Sequence, residues 1–306
     1  MVGADPGSRR SRSGRWRPGL LAAPYLVGTG LLVAVPLVAA LGLALTDYSG
    51  LVSPEFTGLD NLRRALSDPA LGRALTATLL LVLLVVPLRL GLSLAAALLL
   101  YAPRRGVARA AVFLPSVLPD TAWALLWLWL LNPLYGPLAA LIGPGSGFLT
   151  DPWPTRVGLA VMLALQIGEG FVVCLAARSM VAPSVYEAAR AEGASRWYTT
   201  RRVTLPLMRP ALIFLAARDV VLISTAVFVP ILVLTGGGPR ESTTTLPVYL
   251  YSQGFRYGDL GYATAVAVLV TVVSLGAALL VAAGSFTAVG RGRRRRSAGP
   301  ASATPR

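Results

Sequence analysis

An uncharged run of apolar and small residues from position 18 to position 46 constrains this chain more than any other stretch. About 20 such residues already cross the hydrocarbon core of a bilayer. The run is also much longer than the apolar part of a cleaved signal peptide, and Arg9-Arg10 lacks the rest of a twin-arginine export motif, so an uncleaved first span is expected. Comparable runs recur at about 74–100, 110–131, 157–177, 211–234 and 260–286. With 55% hydrophobic residues, 13% charged residues and a mean hydropathy of +0.66, no water-soluble fold of 306 residues could cover so much apolar surface. The expected fold is all-α, a polytopic membrane protein with six transmembrane helices.

The charges give this frame a direction. The chain has no lysine, so all 28 basic residues are arginines. Twenty fall in the two tails and the even-numbered loops, six in the odd-numbered loops and two inside spans. By the positive-inside rule both termini are expected in the cytoplasm. Residues 1–17 read as an arginine-rich tail, 18–286 as the transmembrane domain and 287–306 as a second arginine-rich tail. A net charge of +15 can signal nucleic-acid binding. Here the sorting of arginines by membrane side argues instead for the lipid bilayer and against nucleic acid. Histidine is absent, which removes histidine-based catalysis and metal sites. Cys174 is the single cysteine, so no internal disulfide can form.

One hydrophilic stretch, 184–210 (SVYEAARAEGASRWYTTRRVTLPLMRP), separates two very apolar segments. Pro183 is expected to end the preceding segment, and Ser184 to cap a new helix with Glu187 at the capping-box spacing. Ala188 and Ala189 favour that helix, and Gly193 stands where a helix end takes a left-handed residue. A second helix is expected over 194–203, with Pro206 and Pro210 punctuating the return to apolar sequence.

Glu187-Ala188-Ala189, three residues, Gly193, nine residues, Val203, one residue, Leu205-Pro206 resembles the EAA loop of bacterial ABC importer permeases. Glu192 stands where that family usually has aspartate, and Thr200 where sugar-type members usually have an aromatic residue. Further stretches resemble the sugar-uptake branch: Phe56 to Leu62, Phe113-Leu114-Pro115 with Pro119, Trp127 to Pro133, Leu234 to Pro239 (LTGGGP) and Tyr249 to Ala263. The LTGGGP turn is similar to that of the maltose and glycerol-3-phosphate permease subunits. The resemblance runs from about residue 24 to about residue 280 and implies the type I importer permease fold. It also implies that Glu187, Ala188, Ala189, Gly193, Ala194, Val203, Leu205 and Pro206 couple to a separate ABC ATPase. A second homologous permease subunit and an extracellular or periplasmic solute-binding protein are the other implied partners.

Charges inside the spans are costly, about 2.5–3.5 kcal/mol each on insertion scales, so they face protein or water. Arg89, Glu169, Arg218 and Asp219 form the candidate translocation path, with Asp120 near the start of the third span. The competing reading is a set of structural ion pairs, Arg89 with Glu169 or with Asp219. Trp123, Trp127, Trp129 and Tyr135 could stack on a sugar ring, but an interfacial aromatic belt is the expected role. No phosphate-cradling GxxxxGK[ST] loop is present, so no cofactor is expected on this chain, and ATP with magnesium belongs on the partner ATPase. The residues therefore point to a non-catalytic permease subunit for a sugar or sugar-like solute. An ABC permease for an amino acid or phosphonate, an ion-coupled secondary transporter and a polytopic membrane enzyme are the rivals. The sugar-type segments disfavour the first. The second often carries internal repeats, and the third needs a catalytic cluster that is missing here.

Overall fold

A computed structural model describes residues 18–102, 104–142 and 148–297; the N-terminal tail and the last nine residues of the C-terminal tail lie outside this set. The described chain is almost wholly helical. Helix α1 (Pro18–Thr29) passes through a π turn into α2 (Val35–Leu43). A two-residue hairpin follows, β1 (Thr46–Asp47) against β2 (Glu55–Phe56), antiparallel with Thr46 opposite Phe56. Then come α3 (Asp60–Ser67), α4 (Pro69–Leu99), α5 (Gly106–Phe113), α6 (Asp120–Leu130) and α7 (Pro137–Ile142). The second half holds α8 (Pro152–Ala164), α9 (Gly168–Ser179), α10 (Pro183–Ala191), α11 (Arg196–Thr199), α12 (Leu205–Thr225), α13 (Val229–Leu234), α14 (Leu246–Tyr251) and α15 (Leu260–Ser297).

Among the described residues three helices are long and apolar enough to cross a membrane: Ala22–Leu43, Pro69–Leu99 and Leu260–Ala283. The number becomes five if two bent pairs each count as one span, α5 with α6 (94°) and α8 with α9 (50°). Here the structure corrects the continuous third and fourth spans expected at 110–131 and 157–177. Pro115 and Pro119 lack the amide that a continuing helix needs, and the chain turns sharply between Leu114 and Pro119. Span five breaks as well: α12 ends at Thr225, and α13 restarts at Val229 with Pro230 in its first turn.

Helix α4 is the central post, touching α8, α9, α12 and α14, while α12 lies along α15. The main apolar core joins Val85 of α4, Trp127 of α6, Met162 of α8, Ile223 of α12 and Ile231 of α13. Trp123 and Trp127 are buried there, edge to face with ring centroids 5.9 Å apart. Trp123 donates its indole N–H to the Met162 carbonyl at 3.1 Å. Those two rings are core, not interfacial belt, because the bend between α5 and α6 turns them inward; Trp129 and Tyr135 remain exposed. Large apolar side chains of α1 and α2 stand outward, as a lipid-facing helix requires.

At one end of the bundle the hairpin is fastened to α15. Asn61 donates to the carbonyls of Ala44 (3.2 Å) and Thr46 (2.8 Å), and the Gly261 amide donates to Tyr48 O at 2.9 Å. Asp68 caps α4 through the Ala70 amide and accepts from the hydroxyls of Tyr249 and Tyr262, drawing α14 and α15 onto α4. Burial opposes ionisation of Asp68. The two hydroxyls and the amides of Ala70 and Leu71 outweigh it and hold the carboxyl below its ordinary value.

A Cβ at position 261 would sit 2.1 Å from Thr46 O. Gly261→Ala is therefore expected to lower stability by about 1–3 kcal/mol, read as a reduced melting temperature of the purified protein in detergent. The Asp68 tether has its own signature. A carboxyl whose folded pKa lies below its unfolded value stabilises above the unfolded pKa, near about 4, and loses that contribution as pH falls through the folded value. Melting temperature should fall on acidification in that window, and Asp68→Asn should flatten that part of the profile.

Candidate functional site

Three helix breaks meet at one cavity. The turn between α5 and α6 supplies Ser116 and Asp120, the turn between α8 and α9 supplies Gln166 and Glu169, and the turn between α12 and α13 supplies Ala226 and Val227. The cavity has a volume of about 250 Å³ and is also lined by Arg89 of α4 and Arg218 of α12. Irregular backbone at membrane depth persists only where protein or a water-lined cavity satisfies it. Here the freed Gly168 amide donates to Ser116 Oγ at 2.8 Å, locking two of the breaks together. Asp120 and Glu169 fall in the first turns of α6 and α9, where the helix dipole favours a carboxylate.

The four intramembrane charges singled out in the sequence form one chain. Arg89 Nη1 lies 3.7 Å from Asp219 Oδ1, Arg218 Nη1 donates to the same oxygen at 3.1 Å, and Arg218 Nη2 donates to Glu169 Oε2. Glu169 therefore pairs with Arg218, while Arg89 pairs with Asp219. Exposure falls from one end to the other: the Glu169 side chain is 58% exposed and Arg218 28%, while the Asp219–Arg89 pair is 5% and 10% exposed. The open end offers a carboxylate to solvent and the closed end anchors α4 to α12. Asp120 carries no ion pair among the described residues. Its neighbours Ser116 and Gln166 went unnoticed in the sequence; Pro115 and Pro119 were the signal that the span breaks there.

The hydrophilic loop lies at the other end of α4 from the hairpin. Its first helix, α10, begins two residues earlier than expected. Pro183 opens it as the first helical residue, a position where its missing amide is no loss, and Ala182 occupies the cap with no side-chain bond. The capping box of Ser184 and Glu187 is thus absent, and Glu187 and Ala188 are exposed while Ala189 is buried. The end of α10 is as expected. Gly193 adopts φ +75°, its amide donates to Arg190 O (3.0 Å), and the Ala194 amide donates to Ala189 O (2.9 Å). These are the two bonds of a Schellman motif.

Beyond Gly193 the chain departs from the expected helix over 194–203. Ser195 caps the single turn α11 through the Tyr198 amide. A π turn over Thr200–Thr204 then feeds straight into α12, with the Leu205 amide reaching Thr200 O. The wide turn lets Pro206 enter the first turn of a continuing helix, so neither Pro206 nor Pro210 ends one. Val203 and Leu205 are half-buried and Pro206 is exposed.

The family of binding-protein-dependent transport system inner membrane components matches residues 88–294. The diacetylchitobiose uptake system permease protein NgcF of Streptomyces coelicolor is 32% identical, covering 88% of this chain and 82% of NgcF. The sn-glycerol-3-phosphate transport system permease protein UgpA of Agrobacterium fabrum is 30% identical, covering 84% and 90%. In a solved bacterial ABC transporter involved in the import of the acidic polysaccharide alginate, one chain superposes with a TM-score of 0.73 at 25% identity, covering 89% of this chain and 96% of that one.

The ion chain makes a quantitative demand. Asp219→Ala leaves Arg89 buried without its counter-charge and should cost about 3 kcal/mol or more. Adding Arg89→Met should restore most of that loss, read in thermal unfolding of the single and double variants.

Proposed function

This chain belongs to the family of binding-protein-dependent transport system inner membrane components, and on that premise we propose that it forms half of the path by which an ATP-driven importer carries a carbohydrate across the bacterial membrane. It is a multi-pass, non-catalytic permease subunit of the ABC importer class. A solute-binding protein delivers the cargo, as the family's dependence on one requires.

The finer reading has six spans: α1 with α2, α4, α5 with α6, α8 with α9, α12, and α15. The surplus of arginine on one side supports placing both termini and the 184–210 loop in the cytoplasm. Residues 18–286 then make the permease domain. A second related permease subunit closes the other half of the cavity, and ATPase subunits dock on the loop.

A carbohydrate is the cargo that the cavity and the relatives favour together. Hydroxyl-rich solutes need a dense set of donors and acceptors, and Ser116, Gln166, Asp120, Glu169 and Arg218 supply both at one cavity. Arg89 and Asp219 sit behind them as the anchor of the site. Relatives named for diacetylchitobiose and sn-glycerol-3-phosphate uptake point the same way.

The observation that carries the coupling role is the end of α10. A Schellman turn at Gly193 fixes the angle between an exposed helix and the π turn that opens α12, so a push on α10 passes into a helix bearing Arg218 and Asp219. ATPase closure would thereby reach the cavity through rigid parts.

Position 193 has open space around it, so substitutions act there through the backbone alone. Gly193→Val, a β-branched residue at positive φ, should abolish ATP-dependent uptake in vesicles containing all subunits and the binding protein. Gly193→Asn, which tolerates that conformation, should keep most of it. Uptake that persists without ATP and follows an ion gradient would overturn the importer reading.

A further inference from the structure

A second cavity, of about 490 Å³, lies between the loop and the bundle, on the far side of the molecule from the hairpin. Its walls come from the end of α4 (Leu98, then Tyr101), the end of α9 (Arg178) and the inner side of the loop (Tyr186, Arg190, Arg196). No carboxylate lines it, and none of the three arginines has an ion pair among the described residues. Glu187 and Glu192, the carboxylates of the loop, are exposed and off the cavity.

Arg178 is held unusually firmly. Its guanidinium carbon lies 4.4 Å from the ring centroid of Tyr101 and 3.8 Å from that of Tyr186. A cation–π contact uses the positive charge without consuming the N–H donors, which keep the fork that matches a phosphate or carboxylate. Those donors have no protein acceptor among the described residues. Arg190 is positioned by its Nε, which donates to Tyr186 O at 3.3 Å. Thr199 and Thr200 direct their hydroxyl protons to backbone carbonyls, so recognition of charge falls to the guanidiniums.

We propose that this cavity is a phosphate-group site, and that its occupant is the headgroup of an anionic phospholipid. The site has the chemistry of an oxyanion receptor: three cations, one pre-oriented by stacking, and no counter-charge. Its position favours a lipid over a soluble anion. Leu98 forms one wall, and its neighbour Leu99 and nearby Met180 are apolar and highly exposed, a surface for an acyl chain at the level where two spans end. Basic pockets between helices at that level match lipid headgroups. A bound headgroup would bridge α9 to the loop and stiffen the joint beneath α10. The site does not rest on the coupling role of the loop, but it requires that an ATPase docked there leave the headgroup in place.

The test is native mass spectrometry of the purified full chain titrated with dioleoylphosphatidylglycerol or dioleoylphosphatidylcholine. Arg190→Gln with Arg196→Gln leaves the Tyr101–Arg178–Tyr186 stack intact. Arg201→Gln with Arg202→Gln removes the same charge from loop arginines outside the cavity. The first pair should weaken binding of the anionic lipid by about tenfold, with phosphatidylcholine unaffected and the second pair close to wild type. Millimolar inorganic phosphate should not displace the lipid; displacement would assign the site to a soluble phosphate and overturn the lipid occupant. Equal losses in both double variants, or no preference for the anionic lipid, would overturn the site itself. Release of the lipid on adding the ATPase subunits would assign the cavity to a protein interface and overturn it too.

Discussion

A backbone amide or carbonyl at membrane depth must find a partner, and that constraint organises this molecule. Three helix breaks line one cavity, and each break frees backbone groups that lipid cannot satisfy. The breaks therefore cluster: Gly168 donates to Ser116 from the facing turn, and the turn at Ala226 closes the same cavity. Once gathered, the breaks make a polar cavity in which charges find partners. Arg89, Asp219, Arg218 and Glu169 occupy it as a graded chain, from a buried anchor to a carboxylate open to solvent.

The two ends of the bundle solve a different problem, that of fixing short elements which have too little apolar surface to hold themselves. At the hairpin end, polar tethers do this work: Asn61 to the hairpin carbonyls, and Asp68 to two tyrosines on separate helices. At the loop end, the Schellman turn and the Arg178 stack take that role. The long helix α4 joins the two ends, so a change at one has a stiff element through which to act on the other. The loop's link to the cavity is shorter still, since α12 begins in the loop's π turn and carries Arg218 and Asp219.

Much of this was legible beforehand. Apolar runs and arginine placement identified a helical membrane protein, and the spacing from Glu187 to Pro206 led to the right family. The left-handed turn at Gly193 was legible because its cause is local. The capping box at Ser184 was misread because Pro183 can open a helix as well as end one, and hydropathy alone does not separate those roles. Continuous spans at 110–131 and 157–177 were misread for a related reason: an apolar run of sufficient length reads the same whether or not it bends. Arg178 was only one arginine among 28 until two tyrosine rings, from 77 positions before it and eight after, were seen against its guanidinium.

The sequence by itself determined what depends on composition and short spacing: the solvent in which the chain folds, its helical class, its family and the turn that ends α10. Hydrophobic length and backbone preference act within a few residues and need no partner. Only the tertiary structure decided which charges pair, where the helices bend and which aromatic rings are core. Those outcomes hang on contacts between residues such as Arg89 and Asp219, 130 positions apart, and a buried charge or a freed amide settles wherever the assembled bundle offers it a partner.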